Sequence, residues 1–206
     1  MGSAYQLYGR PNSGSLAVQI VLEEIGAPYE LLWVGRDPAA VEAYRRINPT
    51  GKVPALLLPD RTPIFESAAI LIHLTGAHPE ANLAPAVGTS SHARFLQWMT
   101  FLSANAYEAA LRLYYPERYS TAGQAAAGAI KEQAAADCER HFSLIHESLS
   151  PYVLGSSRSA ADAYLHMLVS WFPDSLLTRL PKLARLAELM RERPATQKAE
   201  RAHAEV

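Results

Sequence analysis

Pro49-Thr-Gly-Lys-Val-Pro-Ala-Leu-Leu-Leu58, followed shortly by Pro63-Ile-Phe-Glu-Ser-Ala-Ala-Ile-Leu71, says more about this chain's architecture than any other part of it. Val53 precedes a proline and is therefore biased to extended geometry. An extended Val53 offers its backbone N–H and C=O to a ligand, as an added strand would. A cis Val53–Pro54 bond would make the turn a fixed feature of the fold. Ala55–Leu58 is an apolar strand candidate, a turn follows around Asp60, and a second short strand leads into Glu66-Ser67 at the mouth of an apolar helix. A free helix N-terminus at Ser67 presents N–H groups and a positive dipole end to a carboxylate. By themselves these residues also fit a plain β-turn-β-α unit with a capped helix.

Working outward to the N-terminus, Ala4–Tyr8 reads as a first strand and Gly9-Arg-Pro-Asn-Ser-Gly14 as a turn. Ser15–Ile25 has helical apolar spacing, and Gly26-Ala-Pro28 stops it. Tyr29–Val34 is a second strand, parallel to the first if a right-handed βαβ unit forms. Asp37 caps a short helix running to Arg46, with Pro38 at its first position. The order βαβα-ββα, with a helix over 67–75, predicts a thioredoxin-like domain over residues 1–77.

Toward the C-terminus, residues 78–89 read as a linker, and from Ser90 on there is no strand signal. Residues 90–206 are expected to form an all-helical domain. Ala93, Leu96, Met99, Ser103, Ala106, Ala110 and Leu113 mark one face of a long helix that stops near Pro116. Ala134, Cys138, Phe142, Ile145 and Leu149 mark a second helix. Ser159-Ala-Ala-Asp162 has the spacing of a capping box, and the helix after it is apolar nearly all round, hence central. Pro181–Met190 is amphipathic, and Pro194 begins a terminal segment.

Bulk properties narrow the function. A 49% apolar, 19% charged chain of net charge −1 is globular and carries no basic field for nucleic acid. No apolar run reaches the roughly 20 residues of a membrane helix, and no signal peptide is visible. A single cysteine, Cys138, excludes an intrachain disulfide, and a reducing cytoplasm fits best. The seven histidines form no i, i+4 pair, so no metal is expected. Gly51-Lys52 lacks the rest of a P-loop, and there is no Gly-x-Ser-x-Gly elbow.

The order Val-Pro, strand, turn, strand, Glu-Ser, helix resembles the glutathione-binding half of the cytosolic glutathione transferases. Ser159-x-x-Asp162-Ala-Tyr164 is similar to that family's capping box and hydrophobic staple. Leu189-Met190-x-x-Arg193-Pro194-Ala195-x-Gln197 is similar to its closing signature. The resemblance spans Tyr8 to Gln197 and implies a homodimer that uses glutathione as co-substrate. It implies that the Val53 backbone beside a cis Pro54 pairs with the cysteinyl part of glutathione, and that Glu66 and Ser67 hold its γ-glutamyl end. Lys52 is nearest that turn among the cations available for the glycine end, the others being Arg36, Arg45 and Arg46.

The central task of such an enzyme is to make thiolate available at neutral pH, where a free thiol of pKa about 8.5 is mostly protonated. The resemblance places the donor to sulfur in the loop after the first strand. Here the sequence departs from the bacterial beta class that it is most similar to. Alignment on Pro11 and Ser15-Leu16 puts Gly9 at that class's loop tyrosine and Gly14 at its cysteine, so a mixed disulfide on this loop is unavailable.

Ser13 is the first choice of donor, then Asn12, with Ser15 and Tyr8 also present; Asn12 or Ser13 also suits a helix cap. Tyr107 corresponds roughly to where the beta class has a histidine near the sulfur. With Leu111 and Tyr114 it shares one helix face, suited to the wall of an acceptor site for a small-molecule electrophile or to packing between helices. The implied activity is conjugation of glutathione thiolate to a small apolar electrophile. The alternatives are a non-catalytic binding or partner-interaction protein on the same fold, or a glutathione-dependent isomerase or peroxidase.

Overall fold

The computed structural model describes residues 4–172 and 174–205. Strand β1 (Tyr5–Gly9) leads through a turn into helix α1 (Ser15–Ile25), which ends on Gly26 at φ 65°, a left-handed position where a side chain would clash. Strand β2 (Tyr29–Trp33), helix α2 (Pro38–Tyr44), strands β3 (Ala55–Leu57) and β4 (Pro63–Phe65) and helix α3 (Ser67–Ala77) follow. The sheet order is β2-β1-β3-β4. β1 and β2 run parallel, with Tyr5 opposite Tyr29, while β3 and β4 are antiparallel to their neighbours. The fold is the expected thioredoxin-like sheet followed by an all-helical region.

Asp37 caps α2 as expected, its carboxylate accepting from the Ala40 N–H at 2.9 Å. The Val53–Pro54 peptide is cis. Tyr44 and Asn48 hold the chain just ahead of it, donating to the Lys52 carbonyl at 2.9 and 2.6 Å.

The helical region differs from expectation in one instructive way. The long helix is not a single α-helix. Helix α4 (Ser90–Phe101) passes into a π-helical turn over Leu102–Tyr107 and then into α5 (Glu108–Tyr114). The buried stripe is Phe95, Trp98, Met99, Leu102, Ala106, Ala109 and Ala110, whereas Ala93, expected inside, is exposed. Met99, Ala106 and Ala110 of the expected stripe are buried on both sides of the π turn, so beyond its first residues the spacing gives the inner face although the helix is not α throughout.

Helices α6 (Ala127–Ser148), α7 (Ala160–Val169), α8 (Asp174–Arg179), α9 (Pro181–Arg191) and α10 (Pro194–Ala204) complete the chain. The expected apolar stripe of α6 is buried, including Cys138, whose thiol burial pushes up to about 11. Every residue of α7 is buried, so it is the central helix. The segment from Pro194, expected only as a terminal piece, is a helix packed along α1. That packing is reinforced by charge. The buried Glu24 carboxylate on α1 binds Arg158 at 3.1 Å and Arg193 through two contacts, tying α1 to the helical region.

Candidate functional site

Between the sheet and the helices opens a cavity of about 690 Å³. Asn12, Ser13, Lys52, Val53, Pro54, Glu66, Ser67, Tyr107, Leu111 and Tyr114, all candidates from the sequence, line it, whereas Tyr8, Ser15, Arg45 and Arg46 do not. One wall is the cis-Pro turn and the start of α3, and the other is the π turn with α5. Of the cations considered from sequence, Arg36 and Lys52 line the cavity. Arg45 instead turns to the Pro49 carbonyl at 2.8 Å and to Glu42 at 3.4 Å. Arg10 and Arg118 also line it, so four cations face two lining carboxylates, Glu66 and Glu108. Such a balance suits an anionic ligand.

The start of α3 has the geometry of an anion site. Glu66 is its N-cap, with φ 69° and ψ 108°, a sparsely populated conformation for a residue with a side chain. No side chain caps the helix there, so its first N–H groups are left to a ligand. Ser67 is buried, and its hydroxyl meets that of Tyr164 at 2.7 Å. Sequence reasoning treated Tyr164 only as part of a staple. The available clue was a tyrosine inside a helix apolar on all sides, whose buried hydroxyl needs a partner.

The loop after β1 is occupied with its own structure. The Ser13 hydroxyl donates to the Arg10 carbonyl at 2.7 Å and stands 2.9 Å from the Ser15 hydroxyl, while accepting from the Ser15 N–H at 3.3 Å. The N-cap of α1 is nevertheless Gly14, with no side-chain cap, so neither Ser13 nor Asn12 takes the cap position foreseen for them. Ser15 reaches the same Arg10 carbonyl at 3.2 Å, so it can replace Ser13 there and release that proton. Asn12 is exposed at the cavity mouth with φ 54°. Tyr8 does not line the cavity; its ring packs 5.6 Å from that of Tyr44.

The two glycines of this loop have different physical reasons. A Cβ on Gly9 would lie 2.6 Å from the Ser15 hydroxyl, so the turn closes only without one. A Cβ on Gly14 would lie 3.1 Å from the Tyr107 hydroxyl and 3.2 Å from Pro54 Cδ. Gly14 thus admits a phenol from the helical region to the head of α1. Burial first, then the neighbouring Tyr164, pushes the Tyr107 phenol above its ordinary pKa, although the Gly14 N–H directed at its oxygen works the other way. The phenol is therefore neutral at pH 7, and among the described residues its proton has no acceptor. A neutral donor with a free proton is what a nearby anion requires.

The helical side of the cavity is aromatic. The Trp171 ring stands edge-on to Tyr107 at 5.1 Å. Tyr114 donates to the Trp171 carbonyl, pinning the turn after α7 to the end of α5. Arg118 lies 3.9 Å over the Tyr115 ring. Leu111 and Ser170 also face this space. Among the described residues no group of three or more metal-ligand side chains comes together.

Comparison with known proteins agrees with this arrangement. Residues 15–76 match the family model for the glutathione S-transferase N-terminal domain. The chain is 28% identical to glutathione S-transferase GstA of Escherichia coli O157:H7, across 94% of this chain and 96% of that protein. A sphingomonad glutathione S-transferase solved with glutathione is 30% identical, with a TM-score of 0.81 over 97% of this chain and 98% of its own. A Sulfitobacter glutathione transferase homologue with bound glutathione is 27% identical, with a TM-score of 0.89 over 98% of this chain and 99% of its own. With its thioredoxin-like sheet, cis-Pro turn and helical region, the chain belongs to the glutathione S-transferase superfamily and is like its bacterial beta-class members.

Proposed function

We propose that this protein binds glutathione in the cavity between sheet and helices and conjugates it, through its thiolate sulfur, to a small apolar electrophile. Residues 1–77 would supply the glutathione side, residues 90–206 the acceptor side, and residues 78–89 the link. In this reading the Val53 backbone pairs with the cysteinyl part, Glu66, Ser67 and the α3 N-terminus hold the γ-glutamyl end, and Lys52 with Arg36 receives the glycine carboxylate. The observation that carries the proposal is the Tyr107 hydroxyl above Gly14, at the head of α1 and in the cavity that Val53 and Ser67 line. Relatives with bound glutathione support the choice of ligand.

The glutathione thiol loses its proton to solvent, and Tyr107, which keeps its own proton, donates a hydrogen bond to the resulting thiolate. The α1 N-terminus adds a positive dipole end, and Ser13 and Asn12 stand at the same mouth as secondary donors. The sulfur lone pair then forms the C–S bond to the electrophilic carbon. The displaced electron pair leaves with the leaving group, or in an addition moves to the neighbouring atom and takes up a proton. Leu111, Tyr114 and Trp171 exclude water from the acceptor side, so no covalent enzyme intermediate is needed. The homodimer and cytoplasmic setting implied by the resemblance belong to the same proposal; Phe65, exposed on edge strand β4, offers a second copy a surface.

The test is to follow thiolate absorbance of protein-bound glutathione across pH, alongside turnover of a chlorodinitrobenzene probe. The expected result is ionisation at least one pH unit below free glutathione, with turnover. Binding with an unshifted thiol and no turnover would favour a non-catalytic binding protein, a reading supported by the side-chain-free Gly9 and Gly14. A shifted thiol without conjugation of the probe would point to isomerase or peroxidase chemistry at the same thiolate.

Gly14→Ala probes the close approach directly. Its φ of −57° suits any residue, so the backbone is unstrained and stability should change by no more than about 1 kcal/mol. The methyl must displace the Tyr107 hydroxyl or Pro54 by a few tenths of an ångström. Conjugation kcat/KM is expected to fall about tenfold, because donor geometry at the sulfur tightens or fails over that distance. Steady-state kinetics with a melting curve on the same sample checks both parts.

A further inference from the structure

We infer that Arg118 is a specificity-determining residue, and that the acceptor is an aromatic electrophile carrying a carboxylate on the side of its ring away from the reacting carbon. Resting on the glutathione-conjugation reading above, this names the class of acceptor that the helical wall would take. That wall is built mainly of rings: Tyr107, Tyr114, Tyr115 and Trp171 line it, with Leu111 beside them. Flat aromatic faces suit a planar ring better than a branched aliphatic chain.

The charges decide what that ring must bear. On the sheet side, Lys52 and Arg36 are assigned to the glycine carboxylate and the α3 N-terminus to the other carboxylate. Arg10 donates to the carbonyls of Val34 and Gly35 at 3.1 and 3.2 Å. Arg118, from the turn Pro116–Tyr119 after α5, is the lining cation that glutathione leaves over. Its neighbour Glu117 meets Nε at 3.7 Å, but the two side chains are 61% and 44% exposed, so water screens the pair. Among the described residues the terminal nitrogens of Arg118 make no hydrogen bond and no further ion pair. The guanidinium is nonetheless held, 3.9 Å over the Tyr115 ring, so little side-chain freedom is lost when it takes an anion. Arg112, on α5 itself, is by contrast spent on Asp137 at 3.3 Å.

Glu108 fixes the orientation. It lines the cavity at the start of α5, next to the proposed donor Tyr107, and is not within ion-pair distance of Arg118. A carboxylate on the acceptor is repelled at the Glu108 end and attracted at the Arg118 end. A planar guanidinium can take it through two parallel N–H bonds. The reacting carbon then points back toward the thiolate at Tyr107. The sulfur lone pair forms the C–S bond there, the leaving group departs with its bonding pair, and the carboxylate is unchanged throughout.

The experiment measures kcat/KM for a matched pair of probes, 1-chloro-2,4-dinitrobenzene and 4-chloro-3,5-dinitrobenzoate, each divided by its uncatalysed rate constant with glutathione at the same pH. Wild type is expected to favour the benzoate. Arg118→Gln should lower the benzoate-to-neutral ratio about tenfold, mainly through KM, the size expected for one charge-assisted contact. Arg118→Glu should lower it further. Arg118→Lys, which keeps the charge but not the planar fork, should lower it only in part. Raising the salt concentration should reduce the wild-type ratio and leave that of Arg118→Gln in place. A merely structural Arg118 would slow both probes together and leave the ratio where it was.

An equal ratio in wild type and Arg118→Gln would overturn the inference, as would a wild type that favours the neutral probe. A tenfold loss of glutathione affinity in Arg118→Gln, read by calorimetric titration, would assign the cation to glutathione and overturn it too. If wild type turns over neither probe, the functional reading falls and this inference with it. Turnover of the neutral probe alone removes the inference and leaves the reading.

Discussion

Tyr107→Phe is expected to lower kcat/KM for glutathione conjugation by about 10- to 100-fold and to raise the pKa of the bound thiol by about one unit or more. Removing a hydrogen bond to an anion in a partly dry site costs about 1.5–3 kcal/mol, and each factor of ten corresponds to roughly 1.4 kcal/mol. Phenylalanine preserves the ring that packs 5.1 Å from Trp171 and 6.3 Å from Tyr164, so the fold should be undisturbed. The loss should appear mainly in kcat/KM and in thiol ionisation, with glutathione affinity at high pH nearly unchanged. Ser13→Ala is the internal comparison. Because the Ser13 hydroxyl already donates to the Arg10 carbonyl, a smaller fall of about threefold is expected. Equal rates for Tyr107→Phe and wild type, with Ser13→Ala strongly impaired, would move the donor back into the loop.

Asp162→Ala should destabilise the fold by about 3–5 kcal/mol, a drop in melting temperature of roughly 10 °C for a chain of this size. Asp162 is fully buried at the head of α7. It accepts from the Val153 N–H at 2.8 Å, the Ser159 N–H at 2.7 Å and the Ser159 hydroxyl at 3.1 Å. Alanine leaves those donors in the core without an acceptor and removes the capping box of the central helix. The gap between wild type and variant should also depend on pH. Burial lifts the Asp162 carboxyl to about 6, against an ordinary value of 3.8, despite its hydrogen bonds. Between those values the folded protein holds more protons than the unfolded chain, so Asp162 contributes more stability as pH falls. Chemical denaturation at pH 7 and pH 5 should therefore show the deficit of Asp162→Ala widening in acid. A constant deficit would mean that the carboxylate stays ionised throughout.

Much of this architecture was legible in the residues because local chemistry and tertiary need agree. Ser15–Ile25 was bounded correctly since a turn precedes it and Gly26 takes the left-handed position that ends it. Asp37-Pro38 and Ser159-x-x-Asp162 announce helix starts through side chains that satisfy N–H groups nearby in sequence. The site residues of the sheet half were legible for a similar reason. Val53, Pro54, Glu66 and Ser67 reach one cavity wall through backbone geometry that proline and helix entry impose.

What escaped the sequence depends on contacts between distant segments. The π turn at Leu102–Tyr107 leaves no local mark in the residues, since buried Phe95, Met99, Leu102, Ala106 and Ala109 keep ordinary helical spacing through it. Tyr164 meets Ser67 across 97 positions of chain, and no spacing rule joins them. The proton commitments of the Ser13 loop likewise follow from a three-dimensional turn rather than from residue types.

The close contact of Gly14 with Tyr107 also constrains how such a site can change through descent. A side chain at position 14 would press on the phenol at position 107 and on Pro54, and fits only where one of them gives way by a few tenths of an ångström. The two positions therefore limit each other's size, and a change at one alters what the other can hold. The pair, rather than either residue, is the unit to compare among related chains.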